Sequence, residues 1–113
     1  MNRRSTVGRH GENLAVRLLE RSGYAVIGRN VRLPGGEIDV ICKDGDVIVF
    51  VEVKARETAS FGTALAAVDA RKRRRLRALA ADWLQIAAPR ARARFDIVTV
   101  EGHGAELHRD AFA

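Results

Sequence analysis

The chain has 113 residues, 47% of them hydrophobic and 30% charged, with 20 Lys and Arg against 14 Asp and Glu for a formal charge of +6. That length suits one domain, residues 1–113, with a real core but little room for a deep cleft, and the apolar share excludes a disordered tail. The basic balance favours a polyanionic partner, most simply nucleic acid, while the single cysteine, Cys42, excludes a disulfide framework and a thiolate metal cluster.

Residues 1–8 are expected to be flexible, and the basic segment Met1–Thr6 lacks the apolar stretch of a secretory signal. No apolar run is long enough to span a bilayer, so a cytoplasmic protein without a membrane partner is expected. A helix is predicted from Arg9 or Gly11 to Arg21, stopped by Ser22-Gly23. Its inward stripe is Ala15, Leu18, Leu19 and Ser22, and Glu12 falls on that stripe. Glu12 equally reads as a surface acid favoured by the helix dipole. A strand near Tyr24–Asn30 and a turn through Pro34-Gly35-Gly36 follow.

Next comes an acidic hairpin. Gly36-Glu37-Ile38-Asp39-Val40-Ile41 and Val49-Phe50-Val51-Glu52-Val53-Lys54 read as strands, joined through Lys43-Asp44-Gly45-Asp46. Period two puts Glu37, Asp39 and Ile41 on one face of the first strand. Ile48, Phe50, Glu52 and Lys54 share one face of the second. With Asp44 and Gly45 as the turn, Glu37 faces Glu52 and Asp39 sits diagonally from Glu52. Facing like charges repel, and a bound cation, a lysine or both would remove the penalty. A solvated outer face with weak salt bridges is the competing reading. Ile41, Ile48 and Phe50 argue against it, because they share that face while Val47, Val49, Val51 and Val53 make the other face apolar. Cys42 lies in the first of these strands and reads as an inert buried thiol.

Residues 56–63 read as a loop containing Phe61-Gly62. The longest helix is predicted over Ala66–Ala87, ending before Pro89. Leu76, Leu79, Ala80, Trp83, Leu84 and Ala87 form its core stripe, so Trp83 is read as packing. Arg71, Lys72, Arg73, Arg74, Arg75 and Arg77 crowd the start of this helix, and the stripe extended backwards puts Lys72 on the sheet side. Six cations in two turns repel one another, and a polyanion would relieve that. A basic link (Arg90, Arg92, Arg94), a strand over Phe95–Val100 and a short strand over Ala105–Arg109 complete the chain. His10, His103 and His108 lack metal-ligand spacing and read as surface residues. The order α-β-β-β-α-β, with one further strand possible, describes an α/β domain with a mixed sheet flanked by helices.

Hard divalent cations take oxygen ligands, commonly one or two carboxylates plus substrate phosphate and water. Asp39 and Glu52 on adjacent strands would form such a half-cage. Lys54 would emerge on the same face, about 7 Å further along, where an ammonium can hold a phosphate oxygen or help to deprotonate a water.

Gly11-Glu12, Gly36-Glu37-Ile38-Asp39, Phe50-Val51-Glu52-Val53-Lys54-Ala55-Arg56, Phe61-Gly62 and Arg94-Phe95-Asp96 together resemble the YraN-like family of small bacterial proteins. That family is similar to the PD-(D/E)XK nucleases, notably Hjc-type Holliday-junction resolvases, with a restriction-endonuclease-like fold. The resemblance implies that Asp39 and Glu52 are ligands of Mg²⁺ or Mn²⁺ and that Lys54 is the catalytic lysine. It also implies that Glu12 joins the site, directly or through water, and that the Val53 carbonyl is a further ligand. Ile38 stands where the superfamily's name has Pro. Arg56, Lys72, Arg73, Arg74, Arg75 and Arg77 are the expected nucleic-acid contacts. By analogy with resolvases, a homodimer follows from the two-fold symmetry of a junction. The expectation is therefore a metal-dependent nuclease-like domain acting on structured or branched DNA by phosphodiester hydrolysis. Its rival is a non-catalytic nucleic-acid-binding protein that retains the fold.

Overall fold

The computed structural model describes residues 8–55 and 70–112. The element order is α1 (Gly8–Arg21), β1 (Ala25–Leu33), β2 (Gly36–Asp44), β3 (Val47–Ala55), α2 (Ala70–Ala87), β4 (Arg92–Glu101) and β5 (Gly104–Phe112). The start of the chain (residues 1–7), Arg56, the Phe61-Gly62 loop and the first residues expected of the second helix (66–69) lie outside the described residues. The order is the expected one, with the extra strand present as β5. β1, β2 and β3 pair antiparallel, β3 and β4 parallel, and β4 and β5 antiparallel, in the sequential order β1-β2-β3-β4-β5. A parallel pair needs a crossover, and α2 lies within the one that links β3 to β4.

The two helices pack on opposite faces of this sheet. Ala15 and Leu19 of α1 join Val40, Cys42, Val49, Val51, Val53, Val98 and Val100 in one core. Leu79 and Ala80 of α2 join Ile38, Ile41, Ile48 and Phe50 in the other, where Trp83 meets Phe50 edge to face with centroids 5.8 Å apart. Both faces of β3 are therefore covered, and each of its buried Val, Ile and Phe side chains contributes about 1.5–3 kcal/mol relative to exposure. Gly35 and Gly36 lie close under α2, where an added Cβ would sit 3.4 Å from a Leu79 methyl. That is ordinary van der Waals contact, so the turn needs glycine for its backbone rather than for space, at Gly36 with φ +150°. The α2 stripe ends before Ala87, which is exposed.

Several boundaries move. The β2–β3 turn is Gly45-Asp46 rather than Asp44-Gly45, since Asp44 pairs with Val47 and Val40 with Val51. Gly45 alone takes the positive φ, +63°, which suits a two-residue turn with glycine first. Asp44 stays in the strand, where Arg94 binds its carboxylate at 3.0 Å. This register puts Glu37 opposite Arg32 of β1 rather than opposite Glu52, and it brings Asp39 level with Glu52. β1 starts one residue later than expected and runs three residues further, to Leu33, with Asn30 at φ +51° inside it. β4 and β5 are both longer than their apolar runs, because each gains a ladder partner. His108 is half-buried, with its Nε2 3.0 Å from the Thr99 hydroxyl. Exposed His10 and His103 touch edge to face at 5.2 Å.

One polar network ties α1 and its following turn to the far side of the sheet. Asp96 is fully buried and accepts from the Tyr24 hydroxyl (2.7 Å), the Arg94 Nε (3.0 Å) and the Asp110 amide (2.8 Å). Burial and the Asp96 hydrogen bond push the Tyr24 phenol up to about 12, so it stays a donor at any physiological pH. Arg94 also stacks over the Tyr24 ring at 5.4 Å. Beside them Cys42 is buried, and burial first, then Asp96 and Glu20, push its thiol up to about 12. It is inert at neutral pH, in keeping with its position between two apolar layers. Tyr24→Phe removes one donor from a buried carboxylate. Urea unfolding is expected to show a loss of about 1–3 kcal/mol with an unchanged circular-dichroism spectrum. A change under 0.5 kcal/mol (roughly the scatter of surface substitutions) would place the phenol outside the stabilising network.

Candidate functional site

A line of polar side chains crosses the middle of the sheet, drawing one residue from each of five elements: Glu12 of α1, Asn30 of β1, Asp39 of β2, Glu52 of β3 and Lys72 of α2. Its centre is Asp39. On the β3 side, the ladder stops at Val40↔Val51, and Asp39 and Glu52 are the next residues on each strand. The Val53 amide donates to Oδ2 of Asp39 at 2.9 Å, so a side chain takes a ladder hydrogen. On the β1 side, Asn30 and Asp39 fill the gap between the pairs Arg29↔Val40 and Val31↔Ile38. Alternation slips at the same place. Ile38 packs with Ile41 in the α2-side core, whereas Val40 packs in the α1-side core.

This setting perturbs Asp39. Burial first and the Glu52 carboxylate second raise its carboxyl to about 7, Glu12 adds a smaller push, and the Val53 amide and the Lys72 ammonium pull the other way. Glu52 is buried and is held by Lys72, with Nζ 2.7 Å from Oε2. The sequence stripe correctly put Lys72 on the sheet side, and here the lysine meets an acid of that sheet. Glu12 is also buried, and it lies to one side of the pair. Its Oε1 accepts from the Asn30 amide at 3.3 Å, with the Arg29 guanidinium 4.0 Å away. With Gly8, Arg9, Asn13, Arg29 and Asn30 it lines a surface cleft at the start of α1.

Lys54 is half-buried, two residues past Glu52 and opposite Thr99 of β4. Arg73, Arg74, Arg75 and Arg77 are exposed on α2, and the Arg73 guanidinium sits 5.9 Å from the centroid of the Phe112 ring. Arg56 lies outside the described residues. Asn30 escaped the sequence reading. Its one signal was that Asn, among residues with a side chain, best tolerates a positive φ and so can turn an amide out of a strand.

The donor set is hard: two carboxylates side by side, with the Val53 backbone between them and Lys54. No three or more His, Cys, Asp or Glu side chains cluster at metal-binding distance among the described residues. Two carboxylates are nevertheless the usual protein share for Mg²⁺, the rest being water and substrate oxygen. A carboxyl raised by burial and by its neighbour, in a gap where a strand ladder opens, is the state that a divalent cation would relieve. The residues present therefore fit such an ion, with Asp39 and Glu52 as its holders and the Val53 carbonyl as a further oxygen.

The molecule is thus a mixed α/β protein with a paired-carboxylate centre and a cationic helix beside it. The chain belongs to the family described as Uncharacterised protein family UPF0102, whose model matches residues 11–100. It is 44% identical to a UPF0102 protein of Desulfosudis oleivorans over 115 residues, covering 99% of this chain and 94% of that one. It is 46% identical to a UPF0102 protein of Dechloromonas aromatica, covering 94% and 88%, and 45% identical to one of Rhodococcus opacus, covering 94% and 95%. The matched segment contains every residue of the polar line and ends before β5.

The raised carboxyl has a signed consequence for stability. The folded chain retains a proton on Asp39 that the unfolded chain has already lost, so this group favours folding at low pH. That contribution fades as pH rises from the unfolded value, 3.8, through about 7. Asp39→Asn keeps an acceptor for the Val53 amide but does not titrate. Between about pH 4 and 7 the metal-free wild type is therefore expected to lose stability relative to the variant, by at most about 1.4 kcal/mol per pH unit. Urea titrations at a series of pH values check this, and parallel curves for the two proteins would mean that Asp39 is ionised throughout.

Proposed function

We propose that this chain is a metal-dependent nuclease-like protein acting on structured or branched DNA by phosphodiester hydrolysis in the cytoplasm. The observation that carries the reading is the Asp39–Glu52 pair, held where the β2–β3 ladder opens, with Asp39 raised by burial and by its partner. Asp39 and Glu52 would hold Mg²⁺ or Mn²⁺, and the Val53 carbonyl and Glu12, the latter through water, would complete the oxygen set. When bound, the ion polarises the phosphodiester and lowers the pKa of its water. The chain's own part is to orient and to neutralise. Lys54, two residues along the same strand, is assigned to a phosphate oxygen or to the attacking water's proton. Lys72 and the exposed guanidinium groups of Arg73, Arg74, Arg75 and Arg77 would track the backbone of the nucleic acid, and Arg56, outside the described residues, is assigned the same role. A junction has two-fold symmetry, and a homodimer is the assembly that would match it.

A second reading draws on the Lys72–Glu52 ion pair at 2.7 Å. If that lysine keeps the carboxylate permanently, the protein binds nucleic acid without turning it over. Cleavage assays on linear, flapped and four-way DNA with Mg²⁺ or Mn²⁺ separate the two. The nuclease reading expects cutting of a branched substrate and a drop of about a hundredfold or more in Asp39→Ala, the scale of several kcal/mol of charge stabilisation removed. Equal rates in wild type and variant would remove Asp39 from the chemistry. Tight binding without cleavage under any of these conditions would favour the second reading.

The cationic helix is tested separately. Replacing Arg73, Arg74 and Arg75 by Gln is expected to weaken DNA binding regardless of base sequence. The slope of log affinity against log salt should fall by about 0.9 for each phosphate that the variant no longer neutralises. Fluorescence anisotropy at a series of salt concentrations measures it. An unchanged slope would locate the DNA surface elsewhere.

A further inference from the structure

Lys72 does two things at once: its ammonium bonds Glu52 at 2.7 Å, and its charge also acts on Asp39. One monovalent cation thus stands beside two carboxylates, the position and the partners that a divalent ion would take. The Glu52 side chain is only 7% exposed whereas that of Lys72 is 35% exposed, so the acid is fixed in the sheet and the lysine reaches it from the rim. A buried carboxylate stripped of its partner is strongly destabilising, which makes a resident cation necessary in the metal-free chain. The lysine is suited to be temporary. Its ammonium is a point charge on a flexible four-carbon stem, which ties it to no single partner geometry. Arg71 and Arg73 beside it are exposed, so a released Lys72 joins a face that is already cationic.

Building on the metal-site reading above, we propose that Lys72 is an exchangeable counter-ion. It occupies Glu52 in the metal-free protein, is displaced when a divalent cation binds Asp39 and Glu52, and then turns its ammonium to a substrate phosphate. Lys72 is a positioning residue in this scheme, and the exchange couples metal loading to nucleic-acid binding. Without metal the ammonium is held by Glu52; with metal it reaches one more phosphate.

The test uses the full chain and Mn²⁺ alone, with binding followed by titration calorimetry and by the Mn²⁺ electron paramagnetic resonance signal. Lys72→Met keeps the apolar stem and removes the competing charge. It is expected to bind Mn²⁺ roughly tenfold or more tightly than wild type, while its metal-free melting temperature falls and its Mn²⁺-loaded one recovers. A lysine with a purely structural role would lower both melting temperatures and leave the affinity unchanged or weaker, and that result overturns the exchange. Lys72→Arg, which keeps the charge, guards against a folding defect and should remain near wild-type affinity. Binding to wild type with no gain in Lys72→Met defeats this inference alone. Absence of Mn²⁺ binding in wild type, Lys72→Met and Lys72→Arg alike defeats the metal site itself. A second readout is the salt slope of DNA binding. Lys72→Met should reduce it by about 0.9 in Ca²⁺ and leave it unchanged in a chelator. Equal slopes in both media would show that Lys72 never reaches phosphate.

Discussion

Two carboxylates side by side in a covered sheet repel each other and lose hydration together, and the centre of this molecule is arranged around that constraint. Asp39 and Glu52 come level because the β2–β3 hairpin turns at Gly45-Asp46, which sets the register for the whole of both strands. The strain is met locally by three separate means: the Val53 amide on Asp39, the Lys72 ammonium on Glu52, and retention of a proton by Asp39 to about neutral pH. The amide and the ammonium reach the pair from different elements, β3 and α2, and each depends on its element lying where it does. If α2 were shifted along the sheet, Glu52 would lose its cation. If the ladder closed fully, Asp39 would lose the gap that holds its carboxyl.

The same chain carries a second buried aspartate with the opposite character. Asp96 receives the Tyr24 hydroxyl, the Arg94 guanidinium and the Asp110 amide, and the Arg94 charge lies directly against it. Such a group is satisfied and structural. Asp39 has one amide and an acid for a neighbour. The contrast separates two uses of one residue type in a small sheet. One holds α1, β4 and β5 together, while the other keeps a repulsion that a bound cation would remove. Burial alone does not distinguish them; the partners do.

Membership of the UPF0102 family extends to residues 11–100, and so covers the acidic pair, both lysines and the cationic part of α2. β5 falls outside the match, although it completes the Asp96 network through Asp110 and stacks Phe112 on Phe95 with ring centroids 4.9 Å apart. Among the described residues no helix is long and apolar enough to cross a membrane. The net charge of +6 and the exposed arginines of α2 give the surface beside the acidic pair the sign that a polyanion requires.

The amino-acid sequence by itself determined the element types and their order, because period-two runs such as Val47–Lys54 and the Leu76–Leu84 stripe are properties of the chain alone. It also determined that Glu52 and Lys54 share a face of β3, that Trp83 packs, and that Lys72 points to the sheet. Which acid faces Glu52 was decided only by the tertiary structure. Moving the turn by one residue replaces Glu37 with Asp39, and both registers satisfy the period-two pattern of the chain, so no local pattern separates the two. The partners of the acids were equally hidden. Asn30 reaches Glu12 through a positive φ within a strand, Lys72 meets Glu52 across the α2–sheet interface, and Tyr24 meets Asp96 from 72 positions away. Those contacts depend on how the layers stack, and layer stacking is set by the summed burial of the whole core rather than by any segment that contains the residues concerned.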